Sequence, residues 1–370
     1  MTKARTNASA SPAVGRNMII NGAMNVAQRA TSVTGLGGST VYATCDRFKI
    51  NASSSNAGRL TMTQTADGPN GISANCLKLD CTTADTSTAA AEYLLIQHNI
   101  EGQNVQRIGK GVAGAKQTTV SFYVKANAAF TFGVEVEDTD NSRQITKLFA
   151  TTTDWVRHEI VIPADVDDGS SPYDDDNAAS ISFNFWLHAG ATYAGGTLNT
   201  AAFANTTNAN RAAGIDSFYS STDNNFFITG VQMEVGPVAT EFEQEDFGVT
   251  LAKCQRYCQR HPSQDQADGG AYSVISNCFV DSTTTIIGFL PLPVSMRIEP
   301  TASFSGAFRV RRQATATAVS SGPVIADAES SSSGIMLSAT VGSTALTVGQ
   351  GGTLSLNNDA DAHMLLDAEL

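Results

Sequence analysis

Asn225-Phe-Phe-Ile-Thr-Gly-Val-Gln-Met-Glu-Val-Gly-Pro237, followed by Val238-Ala-Thr-Glu-Phe-Glu-Gln-Glu-Asp-Phe-Gly-Val-Thr-Leu-Ala-Lys-Cys-Gln-Arg-Tyr-Cys-Gln-Arg-His261, decides how the chain divides. Phe227, Thr229, Val231, Met233 and Val235 share one parity, which predicts a strand with one largely apolar face. Gly236-Pro237 ends it. Asp246 is placed to cap a helix. In that helix Phe247, Leu251, Cys254 and Cys258 recur at four, three and four residues and form one stripe. The chain before this seam reads as one β domain and the chain after it as a second, smaller one.

Composition supports a β protein. The 370 residues suffice for two or three domains with a sizeable core. Only 16% are charged, and Gly, Ser, Thr, Ala and Asn dominate, a mixture suited to short strands joined by many turns. A net charge of −12 argues against nucleic acid as a partner, because phosphate neutralisation needs clustered Lys and Arg. No run of about eighteen apolar residues predicts a membrane span. The first residues, Met1 to Pro12, carry basic side chains without an apolar segment behind them, unlike a secretory signal. Cys45, Cys76, Cys81, Cys254, Cys258 and Cys278 have no disulfide-framework spacing, so free thiols from a reducing cytoplasm are expected.

Residues 1–16 are small and polar, too poor in apolar side chains to fold alone, and read as a flexible anchoring arm. Strands are predicted at Val41–Ile50, Arg59–Gln64, Cys76–Cys81, Glu92–Ile100, Thr118–Lys125, Phe130–Glu137, Trp155–Ile162 and Ile181–Leu187. Ala189–Asp223, rich in Ala, Gly, Asn and Thr, reads as a long surface loop. Beyond His261, Tyr272–Val280 and Thr284–Phe289 read as a strand pair, Pro291–Pro300 as a turn-rich edge segment, and His363–Leu370 as the last strand. The expected architecture is mainly β: a jelly-roll β-sandwich over 17–244, a linking helix over 245–262 and a smaller C-terminal β domain over 263–370.

The order of several short motifs resembles a family of bacteriophage virion proteins, tail-fibre-like or receptor-binding, of phages of marine bacteria. They are Asn17-Met-Ile-Ile-Asn-Gly-Ala-Met-Asn-Val-Ala-Gln-Arg, Cys45-Asp-Arg-Phe, Ile100-Glu-Gly-Gln-Asn-Val and Val120-Ser-Phe-Tyr-Val-Lys, then Phe227-Ile-Thr-Gly-Val-Gln-Met-Glu-Val-Gly, Ala239-Thr-Glu-Phe-Glu, Cys254-Gln-Arg-Tyr, Pro291-Leu-Pro-Val-Ser-Met-Arg and Asp367-Ala-Glu-Leu. The resemblance implies a carbohydrate-binding-module-like jelly roll, a homotrimeric appendage and no catalytic site. The function expected from it is a tail fibre or tail-associated adhesin, assembled in the host cytoplasm and joined to tail, baseplate or capsid proteins by the arm. Such an appendage would contact host-surface glycan. The alternatives are a head-decorating fibre or cement protein, and a glycan-degrading tailspike.

Four sets of residues carry candidate chemistry. Asp165, Asp167, Asp168, Asp174, Asp175 and Asp176 crowd one loop, where a hard cation such as Ca²⁺ would relieve their repulsion; the rival reading is a solvated hairpin. Cys254, Cys258 and His261 could supply three zinc ligands, but a fourth is missing and both thiols belong to the apolar stripe. That stripe, Phe247, Leu251, Cys254 and Cys258, is the expected oligomer interface, three helices around an axis. Trp186, Tyr193, Phe218 and Tyr219, in or beside the long loop, are the candidate glycan-contacting aromatics; Trp186 has the parity to face away from the core row, and its rival role is to pack under the loop. No serine-nucleophile elbow, phosphate loop or paired metal-ligand histidines occur. Glu135 and Glu137 are the one carboxylate pair that shares a strand face.

Overall fold

The computed structural model describes residues 15–166, 171–263, 270–313, 315–325, 329–342 and 346–370. They form two compact units, the first ending at Asp246 and the second beginning at Phe247.

The first unit is a jelly-roll sandwich of thirteen strands: β1 (Ser32–Leu36), β2 (Val41–Tyr42), β3 (Lys49–Ala52), β4 (Arg59–Thr65), β5 (Cys76–Thr83), β6 (Tyr93–Glu101), β7 (Thr118–Ala126), β8 (Thr131–Asp138), β9 (Arg143–Ala150), β10 (Val156–Ile162), β11 (Ala179–Ala189), β12 (Ala204–Asn205) and β13 (Asn225–Val235). One sheet runs β1-β4-β5-β13-β7-β10 and the other β12-β9-β8-β11-β6-β3-β2. β11 shows why they stack. Ile181, Phe183, Phe185 and Leu187 alternate into the core, and Ser182, Asn184 and Trp186 take the opposite face; a register shift after Trp186 turns His188 toward the core ring of Tyr219. Phe122 meets Phe149 and Phe185 edge-on, each at 5.0 Å, and Phe132 meets Phe226 at 5.6 Å. Burying one such ring stabilises the fold by about 1.5–3 kcal/mol, and edge-to-face geometry adds about 0.5–1.5 kcal/mol.

The seam strand departs from its simple alternation. Phe226 and Ile228 face the core before Gly230, and Val231 and Met233 after it, while Phe227 lies half-buried on the outer face. The pairing with β7 shifts register between Thr229 and Gln232, and Gly230 has φ +60°. The bulge inserts one residue and so reverses parity. A Cβ at Gly230 would lie 2.8 Å from the Tyr123 ring, which excludes larger residues there.

Two other expectations change. Val41–Ile50 is not one strand: β2 and β3 flank a turn in which Arg47 has φ +71°. The helix is also shorter than the stripe suggests. It covers Phe247–Gln255, and Cys258 lies instead in β14 (Cys258–His261), paired with β22 (His363–Asp367). The apolar spacing of four and three fits a helix, but Cys258 is drawn into a ladder that the C-terminal segment completes.

The rest of the second unit comprises β15 (Val274–Val280), β16 (Thr285–Pro291), β17 (Thr301–Ser305), β18 (Phe308–Arg312), β19 (Thr315–Ile325), β20 (Gly334–Val341) and β21 (Gly351–Leu356). β14-β22-β17 form a three-stranded sheet, and β15-β16-β20-β19-β18-β21 close into a barrel. Ile286, Leu337 and Leu354 of the barrel share one core with Met364 and Leu366 of β22. No described helix is long and apolar enough to cross a membrane.

Candidate functional site

The outer face of the seven-stranded sheet is polar where it should meet water, yet much of it is covered. β3, β6, β11 and β8 are neighbours there. Asn51, Gln97, Asn184 and Glu135 lie side by side across the four strands and relay one hydrogen-bond direction. Asn51 Nδ2 donates to Gln97 Oε1 at 3.2 Å, Gln97 Nε2 to Asn184 Oδ1 at 2.8 Å, and Asn184 Nδ2 to Glu135 Oε2 at 2.9 Å. Gln97 stands directly opposite Asn184, and Asn184 opposite Glu135. Every amide is therefore fixed in orientation by a carboxylate at the end of the row.

The segment after β11 folds back over this face. Arg211 Nε and Nη2 donate to Glu135 Oε1 and Oε2, both at 2.8 Å, and Nη2 also reaches Glu137 Oε2 at 2.5 Å. The guanidinium lies 5.2 Å from the centre of the Trp186 ring, whose Nε1 donates to Glu135 Oε2 at 2.9 Å. Glu135 is wholly buried and its Oε2 accepts from Asn184, Trp186 and Arg211 together. Burial works against the Arg211 cation, but Glu135 and Glu137 hold its pKa above the ordinary value. Burial first, then the neighbouring Glu135 charge, raises the Glu137 carboxyl above the usual carboxylate range.

Beside this network lies a notch of about 160 Å³, lined by Asn51, Tyr93, Gln97, Glu137, Tyr193 and Arg211, with Leu95, Trp186 and Asn208 completing it. Tyr93 and Tyr193 are half-buried and meet edge-on at 5.2 Å. Burial and then Tyr193 raise the Tyr93 pKa, so its hydroxyl stays protonated and donates to Asn51 Oδ1 at 3.3 Å. Among the described residues no donor reaches Glu137 Oε1, and Arg211 Nη1 has no acceptor. An acceptor and a donor thus stand together at the notch beside two aromatic rings.

The expected aromatics are distributed differently. Tyr193 lines the notch. Trp186 faces outward as its parity predicts but is 1% exposed, roofed by the loop with Leu95 and Ala212. Phe218 and Tyr219 are corrected outright: both are buried in the sandwich core and offer no face to a ligand. Gly37 and Gly58 make room for Tyr219, since a Cβ at Gly58 would lie 2.4 Å from its ring. The long loop is therefore packed, not free. Asn51, Tyr93, Gln97, Asn208 and Arg211 escaped the sequence reading; outward polar residues inside β3 and β6 are the one signal that pointed to them.

The acidic loop is held at its first carboxylate by a protein cation and at Ser171 O by Lys110. Asp165 is buried and takes Arg143 Nε at 2.8 Å and Nη2 at 3.0 Å, a two-pronged pair that leaves no need for Ca²⁺ at that carboxylate. Asp174, Asp175 and Asp176 are exposed, and Asp176 Oδ1 accepts from Ala178 N at 2.9 Å. Asp167 and Asp168 lie outside the described residues. Among the described residues no group of three or more His, Cys, Asp or Glu is placed to hold a metal ion. This includes Cys254, Cys258 and His261. The stripe proposed as an interface is likewise split: Phe247 is 52% exposed, Leu251 half-buried, and Cys254 and Cys258 fully buried. The two cysteines cannot face another copy in this fold. All six thiols are free and buried, and burial pushes Cys76, Cys81 and Cys278 up to about 11.

No family profile matches the chain, and no curated protein matches it. Among solved structures it is similar to a family 4 carbohydrate-binding module, at 12% identity over 59% of this chain and 99% of that one, with a TM-score of 0.31. It is also similar to a family 30 carbohydrate-binding module of a Clostridium thermocellum cellulase, at 10% identity over 62% and 98%, with a TM-score of 0.28. A family 11 module from the same organism aligns at 12% identity over 52% and 90%, with a TM-score of 0.27. At these identities and TM-scores the likeness carries no argument about site or ligand.

Proposed function

We propose that the first unit is a non-catalytic glycan-binding module and that the notch at Tyr93, Tyr193, Glu137 and Arg211 is its binding site. The supporting observation is the combination in one concavity of two half-exposed aromatic rings with oriented amides, a carboxylate oxygen and a guanidinium nitrogen. A sugar ring has apolar C–H faces and a rim of hydroxyls that donate and accept, so it needs both kinds of group at once. A volume of about 160 Å³ is below the roughly 300 Å³ of a drug-sized pocket, which suits one sugar residue and not a long buried chain. Glu135 is spent on three donors, so one carboxylate alone reaches the notch, whereas acid–base glycoside cleavage uses two.

The test is a glycan array followed by calorimetry. Binding should appear for the wild type and weaken by about tenfold, or 1.4 kcal/mol, in Tyr93→Ala and Asn208→Ala. Binding that is unaffected by both substitutions would place the site elsewhere.

The ordered motifs from Asn17 to Asp367 support a narrower form of the proposal. In it the chain is a homotrimeric appendage of a phage particle, fixed by residues 1–16 and presenting the notch to host-surface glycan. Light scattering of the purified chain tests the trimer, and antibody labelling of intact particles tests the location. A monomer at micromolar concentration, or particles without label, would remove this narrower form.

A further inference from the structure

We propose that the notch selects uncharged sugars and rejects uronate and sulfated ones, with Glu137 as the specificity-determining residue; this rests on the glycan-binding reading above. Two carboxylates, Glu135 and Glu137, share one guanidinium, Arg211, so the cluster keeps one uncompensated negative charge. Further charged residues lie along this sheet face. Lys49 stands directly opposite Gln97, and its ammonium packs over the Tyr42 ring at 5.3 Å, where the Arg29 guanidinium also lies at 5.2 Å. Glu101 lies further along β6 and accepts from Gln103. The two cations gather at Tyr42 on β2, four strands from Glu137 on β8, so they leave the charge at the notch uncompensated.

The uncompensated charge is focused on the notch. Glu135 is buried behind three donors, so the carboxylate oxygen a ligand meets is Glu137 Oε1, on a side chain that is 19% exposed. Arg211 cannot swing out to greet an anion. Nε and Nη2 are committed to the two carboxylates, and leaving would strand Glu135 as a buried unpaired charge. What Arg211 still offers is one nitrogen, Nη1, beside one carboxylate oxygen. That pairing fits adjacent hydroxyls, one donating to Glu137 and the other accepting from Arg211. A carboxylate or sulfate in the same place would face Glu137 Oε1 without a proton to give it. Partial burial lowers the local dielectric, so this repulsion exceeds what two charges would feel in open water.

The experiment compares matched polymers on the wild-type chain: glucan with polyglucuronate, mannan with polymannuronate, and galactan with polygalacturonate. At about pH 8, where Glu137 is ionised despite its raised pKa, and at low salt, the neutral member of the pair that binds should bind at least about tenfold more tightly than its uronate, and the gap should narrow as salt is raised to about 0.5 M. In Glu137→Gln, which keeps an acceptor oxygen and removes the charge, the neutral-to-uronate ratio should fall several-fold. A uronate that binds as well as or better than its neutral partner overturns the inference and leaves the glycan-binding reading standing. A salt-independent preference in the wild type also overturns it, and needs no variant to fold. Binding to no member of any pair removes both.

Discussion

The ammonium of Lys110 and the carboxylate of Asp138 meet at 2.6 Å, and neither side chain is exposed. Tyr173 covers the pair, with its ring centre 5.5 Å from the ammonium, and Lys110 Nζ also donates to Ser171 O at 2.8 Å. Lys110→Met should therefore destabilise the first unit by about 3–5 kcal/mol, because it strands a buried charge. Replacing both partners, Lys110→Met with Asp138→Leu, should recover most of that loss. Urea unfolding measures both; a single-variant cost below about 1 kcal/mol would mean the site is wet.

The neighbouring Arg143–Asp165 pair bears on the Ca²⁺ expectation. Since Arg143 already neutralises Asp165, millimolar Ca²⁺ should move the melting temperature by less than about 1 °C. A rise of several degrees, reversed by a chelator, would mean that the acidic loop binds the ion after all.

Gly58 is a steric requirement of the folded loop. Its missing Cβ leaves space for the buried Tyr219 ring, 2.4 Å from where that atom would stand. Gly58→Ala should destabilise by about 1–3 kcal/mol, as overpacking does. The cost should shrink in a Tyr219→Leu background, and a double-mutant cycle reads that coupling.

Glu243 ties down the start of the described chain. Its Oε1 accepts from Gly15 N at 2.6 Å and its Oε2 from Asn17 N at 2.8 Å. Glu243→Ala should raise amide exchange at Gly15 and Asn17 by about tenfold, since each lost bond to a charged acceptor is worth about 1.5–3 kcal/mol. Exchange elsewhere in the sandwich should not change; global acceleration would contradict a local clamp.

Stability should fall on mild acidification. Burial, with Arg47 adding to it, holds His98 well below 6.5, and its Nε2 lies 3.2 Å from Ile20 N, accepting that proton in the neutral form. His188 and His261 are also lowered, chiefly by burial. The unfolded chain then binds more protons than the folded one between the folded pKa values and 6.5. The stabilisation is full above 6.5 and is lost as pH falls below it. Glu137, whose pKa is raised, acts in the opposite sense, stabilising as it protonates. The clean measurement is thus the melting temperature of the wild type against His98→Gln between about pH 7.5 and 5.5. The variant should lose part of the slope; equal slopes would show that His98 titrates normally.

Sequence alone determined the β class, most strands of the sandwich and the break at Pro237, because alternation and turn chemistry are set by a few neighbouring residues. It also placed Glu135 and Glu137 on one face and turned Trp186 away from the core. Tertiary structure decided the rest. Gly230 reverses parity in β13 through a bulge that only pairing with β7 reveals. Cys258 joins a ladder whose partner, Asp367, lies at the other end of the chain. The notch depends on contacts separated by 46 residues between Asn51 and Gln97, 87 between Gln97 and Asn184, and 76 between Glu135 and Arg211. Away from bulges, periodicity fixes which face a side chain takes. Which polar side chains meet on that face, and whether a loop covers them, follows from sheet order and register, which no local pattern encodes.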